Sequence, residues 1–154
     1  MLAAMITVTV LVGLSVLIHY EVLRLASDIV PHLRIPPRPR ILAAIAAAFF
    51  AHTVEVWVFA FAYYLMEHQL GMGSIAGEVD GSFEELVYFS AQSYTSLGFG
   101  DVYPLGSVRL VAGVEALVGL VMIGWSASFT FLEMQRYWEL HLGRPGRSKN
   151  GKNG

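Results

Sequence analysis

The chain has 154 residues, of which 55% are hydrophobic and 14% are charged, and its formal net charge is −2. Soluble domains carry about 25% charged residues, so this composition excludes an ordinary soluble protein and indicates a membrane protein. The absence of cysteine excludes disulfides and thiolate chemistry. The sequence also has no catalytic serine, histidine and aspartate pattern, no phosphate-binding glycine loop and no base-stacking aromatic set. We therefore expect no enzyme activity, no nucleic-acid partner and no small-molecule substrate.

Residues 1–26 form the first predicted membrane-spanning helix, because the segment from Met1 to Ile18 contains no charge. No basic stretch precedes this apolar run, and no clear cleavage site follows it. These features favour a retained N-terminal helix, which we place at the periphery of the protein.

Residues 27–40 are predicted to be a linker, because the prolines at positions 36, 37 and 39 prevent a continuous helix there. An outer membrane helix is predicted at 41–66, interrupted only by His52 and Glu55. Residues 67–81 follow as an external loop of exposed turns, indicated by their glycines.

A short helix is predicted at residues 82–94, where Ser82 and Glu85 have the spacing of a capping box. The twelve residues behind Ser82, 83–94, make about 18 Å of helix, too little to cross a bilayer. Because a full-length helix at 105–138 follows, the short helix is predicted to be re-entrant. Residues 139–154 are polar, basic and rich in glycine, and we expect a disordered tail.

The basic residues predict the orientation of the chain, since Lys and Arg favour the cytoplasmic side. Nine of the ten lie near the linker at 27–40 or near the C-terminus, whereas the segment 67–104 contains six acidic residues and no basic one. We therefore expect the linker and the C-terminus in the cytoplasm and the N-terminus outside, in a plasma membrane or a prokaryotic inner membrane. Membrane lipid is the expected surrounding partner.

Residues 95–101 are the predicted functional segment. A dehydrated cation needs a cage of oxygens, which a backbone can supply if successive residues alternate between conformations of opposite hand. Glycine adopts a positive φ freely, so two glycines on either side of one large residue fit this geometry. The segment reads Thr95, Ser96, Leu97, Gly98, Phe99, Gly100 and Asp101, and the hydroxyls of its first two residues add oxygens at the inner mouth.

This segment resembles the signature selectivity filter of potassium channels, Thr-Val-Gly-Tyr-Gly-Asp, in its variant with Phe in place of Tyr. The resemblance extends over residues 41–138 and includes Tyr103, Pro104 and Arg109. It implies an all-α membrane protein with three transmembrane helices, a re-entrant pore helix and a filter that passes K⁺. One filter segment cannot encircle an ion, so the resemblance also implies a homotetramer.

The resemblance further implies roles for residues around the filter. Tyr88, Gln92 and Asp101 are expected either to form a hydrogen-bonded brace for the filter or to pack in an ordinary way. Gly119 is expected to act as a gating hinge or to allow close helix packing. Leu97 replaces the usual Val or Ile and changes the packing behind the filter.

Ionisable residues inside a membrane are functional candidates, because burying them unpaired is costly. The resemblance places Glu115 near the back of the filter, where it is expected to bond to pore-helix or filter hydroxyls such as Ser93 or Ser96, to line a central cavity, or to make a structural bond between helices. His19, His52 and Glu55 are expected to form a buried polar cluster, whose role is either structural pairing or a response to protons.

Two other functions stay open from the sequence. A weakly selective cation channel would be expected to alter the glycine-aromatic-glycine core, which is intact here. A non-conducting membrane anchor or potassium sensor is compatible with the same segments. The first helix lacks regularly spaced arginines, so a voltage sensor is not expected, and the gating stimulus is left undetermined.

Overall fold

A computed structural model describes residues 2–32, 36–78 and 80–142. The fold is all-α except for two three-residue strands. Three helices are long and apolar enough to cross a membrane, at Leu2–His32, Pro39–His68 and Val108–Arg136. In chain order the elements are α1 (Leu2–Ile29) with a 3₁₀ turn (Val30–His32), α2 (Pro37–His68), β1 (Ile75–Gly77), α3 (Phe83–Tyr94), β2 (Val102–Pro104) and α4 (Val108–Leu142).

Several boundaries differ from the predicted ones. α2 begins at Pro37 instead of residue 41, because proline is tolerated in the first turn of a helix, where its missing N–H has no helical partner. The linker predicted at 27–40 is correspondingly shorter. α4 begins at Val108 and ends at Leu142, so residues 139–142 are helical instead of disordered. The rest of the predicted tail, 143–154, lies outside the described residues.

Helix α1 packs against the other helices of the chain along one stripe, and its predicted place at the periphery of the protein stays a prediction. Its buried side chains are spaced by three, four or seven residues, which places them on one stripe of the helix. The helix contacts both α2 and α4. The buried stripe consists of Ala4, Leu11, Ser15, His19, Leu23 and Ala26. Because this stripe includes polar residues, α1 brings polar groups as well as apolar surface into the bundle.

The glycine-rich loop predicted at 67–81 contains strand β1, which pairs antiparallel with β2 and sets Gly77 opposite Val102. The backbone N–H of Glu78 donates to the carbonyl of Asp101 at 3.0 Å. Gly77 has a φ of 120°, and a Cβ there would lie 2.0 Å from the Asp101 carbonyl oxygen. Glycine is therefore required for this contact, which attaches the loop to the chain that follows residues 95–101.

The N-terminus of α3 is capped differently from the prediction. Ser82 occupies the N-cap position, but its side chain makes no capping hydrogen bond in the described chain. The Ser82 backbone N–H donates instead to Asp80 at 2.8 Å. With that donor taken, Glu85 accepts from the N–H groups of Asp80 and Gly81, at 2.6 and 3.1 Å. The predicted helix start is correct, whereas the predicted bonds of the capping box are wrong.

The end of α3 lies close to the backbone of α4 at Gly119. A Cβ on this residue would lie 1.8 Å from the carbonyl oxygen of Tyr94, the last residue of α3. This close approach supports the close-packing interpretation of Gly119. Its predicted role as a gating hinge stays a prediction.

Gly119→Ala is expected to destabilise the protein, because the added methyl group must separate two backbones. Overpacking of this kind costs about 1–3 kcal/mol, which would be measured as a lower free energy of unfolding of the purified protein in detergent. Gly113→Ala and Gly124→Ala are matched controls on the same helix, since a Cβ at either position meets no described atom within 4 Å. Equal stability of all three variants would contradict the close approach.

Candidate functional site: the pore loop and its buried support

The segment predicted as a filter follows the end of α3 directly, and backbone hydrogen bonds connect its first residues to that helix. The N–H of Thr95 donates to Ala91 at 3.1 Å, and that of Leu97 donates to the carbonyl of Gln92 at 2.9 Å. The Thr95 hydroxyl also donates to the Ala91 carbonyl, at 2.7 Å. These bonds fix the start of the segment relative to the helix that precedes it.

The backbone of residues 95–100 alternates in hand. Positive φ angles occur at Ser96 (57°), Gly98 (52°) and Gly100 (86°), and at no other residue of this range. The glycines at 98 and 100 stand where the sequence predicts positive φ. Ser96 was not expected there, because a side chain disfavours this conformation. Every second residue of the segment therefore has the conformation that glycine adopts most easily.

All six residues from 95 to 100 are exposed in the single chain. Leu97 exposes 60% of its surface and Phe99 exposes 66%. The single chain therefore leaves an apolar surface uncovered at Leu97 and Phe99, next to the alternating backbone.

Tyr88, Gln92 and Asp101 lie in contact with one another and with the segment. The Tyr88 hydroxyl donates to one oxygen of Asp101 at 2.7 Å, and the amide nitrogen of Gln92 donates to the other at 3.2 Å. The amide oxygen of Gln92 accepts from the backbone N–H of Phe99 at 2.9 Å. Gln92 thus joins the carboxylate that ends the segment to a backbone donor within it.

The hydrogen bond from Tyr88 is the main cause that holds the pKa of Asp101 below its ordinary value, and the amide of Gln92 adds to this effect. Both donors favour the ionised carboxylate. The brace therefore works best with a charged Asp101.

Glu115 lies on α4 and is buried where α4 packs against α2 and α3. It accepts a hydrogen bond from Ser90 at 2.5 Å and a second one from the Tyr63 hydroxyl. The predicted kind of partner, a hydroxyl on the short helix, is confirmed, whereas the two serines named as examples, Ser93 and Ser96, are wrong. Ser90 lies on the buried face of α3, whereas Ser93 is only half-buried and Ser96 lies in the exposed segment, so Ser90 is the hydroxyl that reaches α4.

The predicted cluster of His19, His52 and Glu55 is present, and Tyr94 and Ser126 complete it. One oxygen of Glu55 lies 3.0 Å from Nδ1 of His19, and the other accepts from the Tyr94 hydroxyl. That hydroxyl lies 2.8 Å from Nδ1 of His52. Ser126 Oγ lies 3.1 Å from Nε2 of His19 and 3.1 Å from Nε2 of His52. We call these five residues the polar ring.

The polar ring is a closed cycle of five hydrogen bonds. Two neutral imidazoles, two hydroxyls and one carboxylic acid carry five hydrogens, which is one for each bond. Moving the acid hydrogen from Glu55 to a histidine leaves this total unchanged. With Glu55 as a carboxylic acid, the ring is saturated and carries no net charge, which avoids the cost of burying an unpaired charge.

Ser90 and Tyr94, the hydroxyl partners of Glu115 and Glu55, both lie on helix α3. They lie four residues apart on α3, so they project from one face. The Ser90 hydroxyl donates a hydrogen bond to Glu115, and the Tyr94 hydroxyl donates one to Glu55. The i, i+4 spacing of Ser90 and Tyr94 on the short helix is a sequence signal for this pair, although it does not by itself exclude Ser93.

A family model described as "Ion channel" matches residues 51–136. Two curated relatives match shorter parts of the chain, and both are named Protein LctB. The one from Bacillus caldotenax is 46% identical over 39 residues, which are 25% of this chain and 29% of that protein. The one from Geobacillus stearothermophilus is 41% identical over 49 residues, which are 32% of this chain and 37% of that protein. The chain thus matches about a third of the length of each of these relatives. No solved structure gives a significant match.

Tyr88→Phe is expected to raise the pKa of Asp101 towards its ordinary value of about 3.9, because it removes the main bond to the ionised carboxylate. A group whose pKa is lowered by folding contributes stability above its unfolded pKa, and loses it as the pH falls through the folded value. As the pH falls from the unfolded pKa of Asp101 towards its folded pKa, the variant should therefore lose less stability than wild type. Carbon-13 chemical shifts of labelled aspartate would measure the pKa.

Tyr103→Phe is the matched control for this titration, because Tyr103 is exposed and lies two residues beyond Asp101. It should leave the titration of Asp101 unchanged. The same midpoint in wild type and Tyr88→Phe would show that the hydroxyl bond does not stabilise the carboxylate.

Proposed function

This chain belongs to the ion channel family, since the matching family model covers more than half of its 154 residues, and we propose that it is the subunit of a potassium-selective channel. In this proposal K⁺ moves passively across a cell membrane through a filter formed by residues 95–100 of four chains. No covalent chemistry is involved.

The observation that carries the proposal is the alternation of backbone hand along residues 95–100. Residues of opposite hand in strict alternation turn successive carbonyl groups towards one side of the chain. A column of carbonyl oxygens can replace the water of a dehydrated cation. Positive φ at residues 96, 98 and 100 is the pattern that such a column needs.

Assembly into a tetramer is supported by the exposure of the same segment. Leu97 and Phe99 are large, apolar and mostly uncovered in one chain. One row of carbonyls contacts an ion from one side only, so a closed cage needs copies arranged about an axis. Fourfold symmetry around residues 95–100 would supply the cage and bring these segments together.

The support around the segment fits a filter that must keep its shape. At the outer end, Gln92 accepts from the backbone N–H of Phe99 and donates to Asp101, which also accepts from Tyr88. At the inner end, α3 ends at Tyr94, directly before the segment. The C-terminus of a helix carries a partial negative charge, which favours a cation close to it.

Selectivity for potassium over sodium is expected in planar bilayers that contain the purified protein, with K⁺ on one side and Na⁺ on the other. The reversal potential should move far towards the equilibrium potential of K⁺, because rigid carbonyl sites match the larger ion. A reversal potential near zero would identify a weakly selective cation channel instead. A complete lack of current would favour a non-conducting protein.

Gly98→Ala is expected to abolish the current, because a Cβ disfavours the positive φ that residue 98 adopts. Gly13→Ala makes the same chemical change on α1, where a Cβ meets no described atom within 4 Å, and it should conduct like wild type. Size-exclusion chromatography would verify that both variants assemble as wild type does. Normal current from Gly98→Ala would contradict the placement of the filter.

A further inference from the structure

The polar ring contains four ligand atoms that converge from three helices. They are Nδ1 of His19 on α1, Nδ1 of His52 and a carboxylate oxygen of Glu55 on α2, and the hydroxyl oxygen of Tyr94 on α3. Suitable ligand atoms of the two histidines and the glutamate all lie within 4.8 Å of one another. Two imidazoles with one carboxylate are a common donor set for first-row transition metals.

The spacing of these atoms is close to that of a tetrahedral site. Zinc bonds of about 2.0–2.1 Å place neighbouring ligand atoms about 3.3 Å apart. Here Nδ1 of His19 lies 3.0 Å from Oε1 of Glu55, and Nδ1 of His52 lies 3.8 Å from the other carboxylate oxygen, Oε2, and 2.8 Å from the Tyr94 hydroxyl. These distances lie on both sides of the tetrahedral value, so small side-chain movements would open the centre for an ion.

Ser126 is placed to support both histidines when they bind a metal through Nδ1. A ligating imidazole usually donates its other N–H to a nearby acceptor, which fixes the ring. Nε2 of His19 and Nε2 of His52 both lie 3.1 Å from Ser126 Oγ. A hydroxyl oxygen has two lone pairs, so it can accept both hydrogen bonds.

The charges also balance. With Glu55 as a carboxylic acid the ring holds five hydrogens, and coordination by both Nδ1 atoms, Glu55 and Tyr94 leaves three of them, on the two Nε2 atoms and on Ser126. Two protons therefore leave for solvent when one divalent cation enters, as metal binding to such ligands requires. The buried site is neutral before and after the exchange.

A groove between α2 and α4 gives access to the ring. It has a volume of about 450 Å³, and His52 and Ser126 are its polar lining residues, along with Thr130. His19 and Glu55 lie behind them and are fully buried. An ion that enters through this groove meets the imidazole of His52 first.

We propose that His19, His52, Glu55 and Tyr94 form a binding site for a divalent transition-metal ion, for which zinc is the best fit. Calcium and magnesium prefer sites made entirely of oxygen ligands, and the two imidazole nitrogens select against them. A bound ion links α1 to the residue directly before Thr95. Metal binding is independent of potassium conduction and can be measured without any current.

The test is a titration of the purified, chelator-treated full chain in lipid nanodiscs with zinc alone, followed by isothermal calorimetry. One high-affinity zinc ion per chain is expected. Cobalt should give the intense visible absorption of a four-coordinate site. X-ray absorption of the zinc-loaded wild type should show nitrogen or oxygen neighbours at about 2.0–2.1 Å, with the outer-shell scattering of two imidazoles.

Variants then locate the site. His52→Gln keeps a polar side chain and Tyr94→Phe keeps the ring shape, and both should abolish the high-affinity binding. Ser126→Ala should weaken it about 10–100-fold, as loss of a supporting hydrogen bond does. His32→Ala and His68→Ala are matched controls, because both histidines are exposed and bond to nearby backbone carbonyls.

Three results would overturn the proposal. The first is wild-type protein that binds no zinc with high affinity, and the second is zinc-loaded protein without imidazole scattering. The third is binding that disappears in His32→Ala or His68→Ala but persists in His52→Gln. Because each measurement uses the bound metal directly, none depends on whether the protein conducts potassium.

Discussion

The structure depends on one constraint, which is that polar groups inside a bilayer must find partners within the protein. Two fully buried glutamates make this constraint acute, since an unpaired buried charge costs several kcal/mol. The short helix α3 supplies a hydroxyl to each of them, from Ser90 to Glu115 and from Tyr94 to Glu55. α2 and α4 carry the acids themselves. The helix that is too short to cross the membrane is therefore the one that joins the others.

The pore loop is consequently held at both ends by different means. The C-terminal end of residues 95–100 is fixed by the Asp101 carboxylate and by backbone pairing of β1 with β2. The N-terminal end is fixed through Tyr94, which belongs to the polar ring and also contacts α4 closely at Gly119. Residues 95–100 lie between these two anchors and contribute few side-chain bonds of their own. Their conformation is thus set mainly by the neighbouring elements.

Much of this arrangement can be predicted from the sequence, because it follows from local rules. Hydrophobic length predicts three membrane helices, and the glycines at 98 and 100 predict positive φ. Other features depend on which faces meet in three dimensions. Ser90 and Ser93 are equally good hydroxyl partners in the sequence, and only the rotation of α3 against α4 selects Ser90. The pairing of Gly77 with Val102 joins residues that are far apart in the chain. Positive φ at Ser96 goes against the preference of its side chain.

The position of His19 has a consequence for how this protein is related to a simpler architecture of two membrane helices around a pore loop. A helix added in front of such a unit would act as an accessory if it contributed only apolar surface. Here α1 supplies one of the two imidazoles that close the cycle around Glu55. The remaining chain without α1 would retain a buried acid with an incomplete set of partners. The three helices therefore form one indivisible module, in which the first segment and the pore unit are expected to change together in evolution.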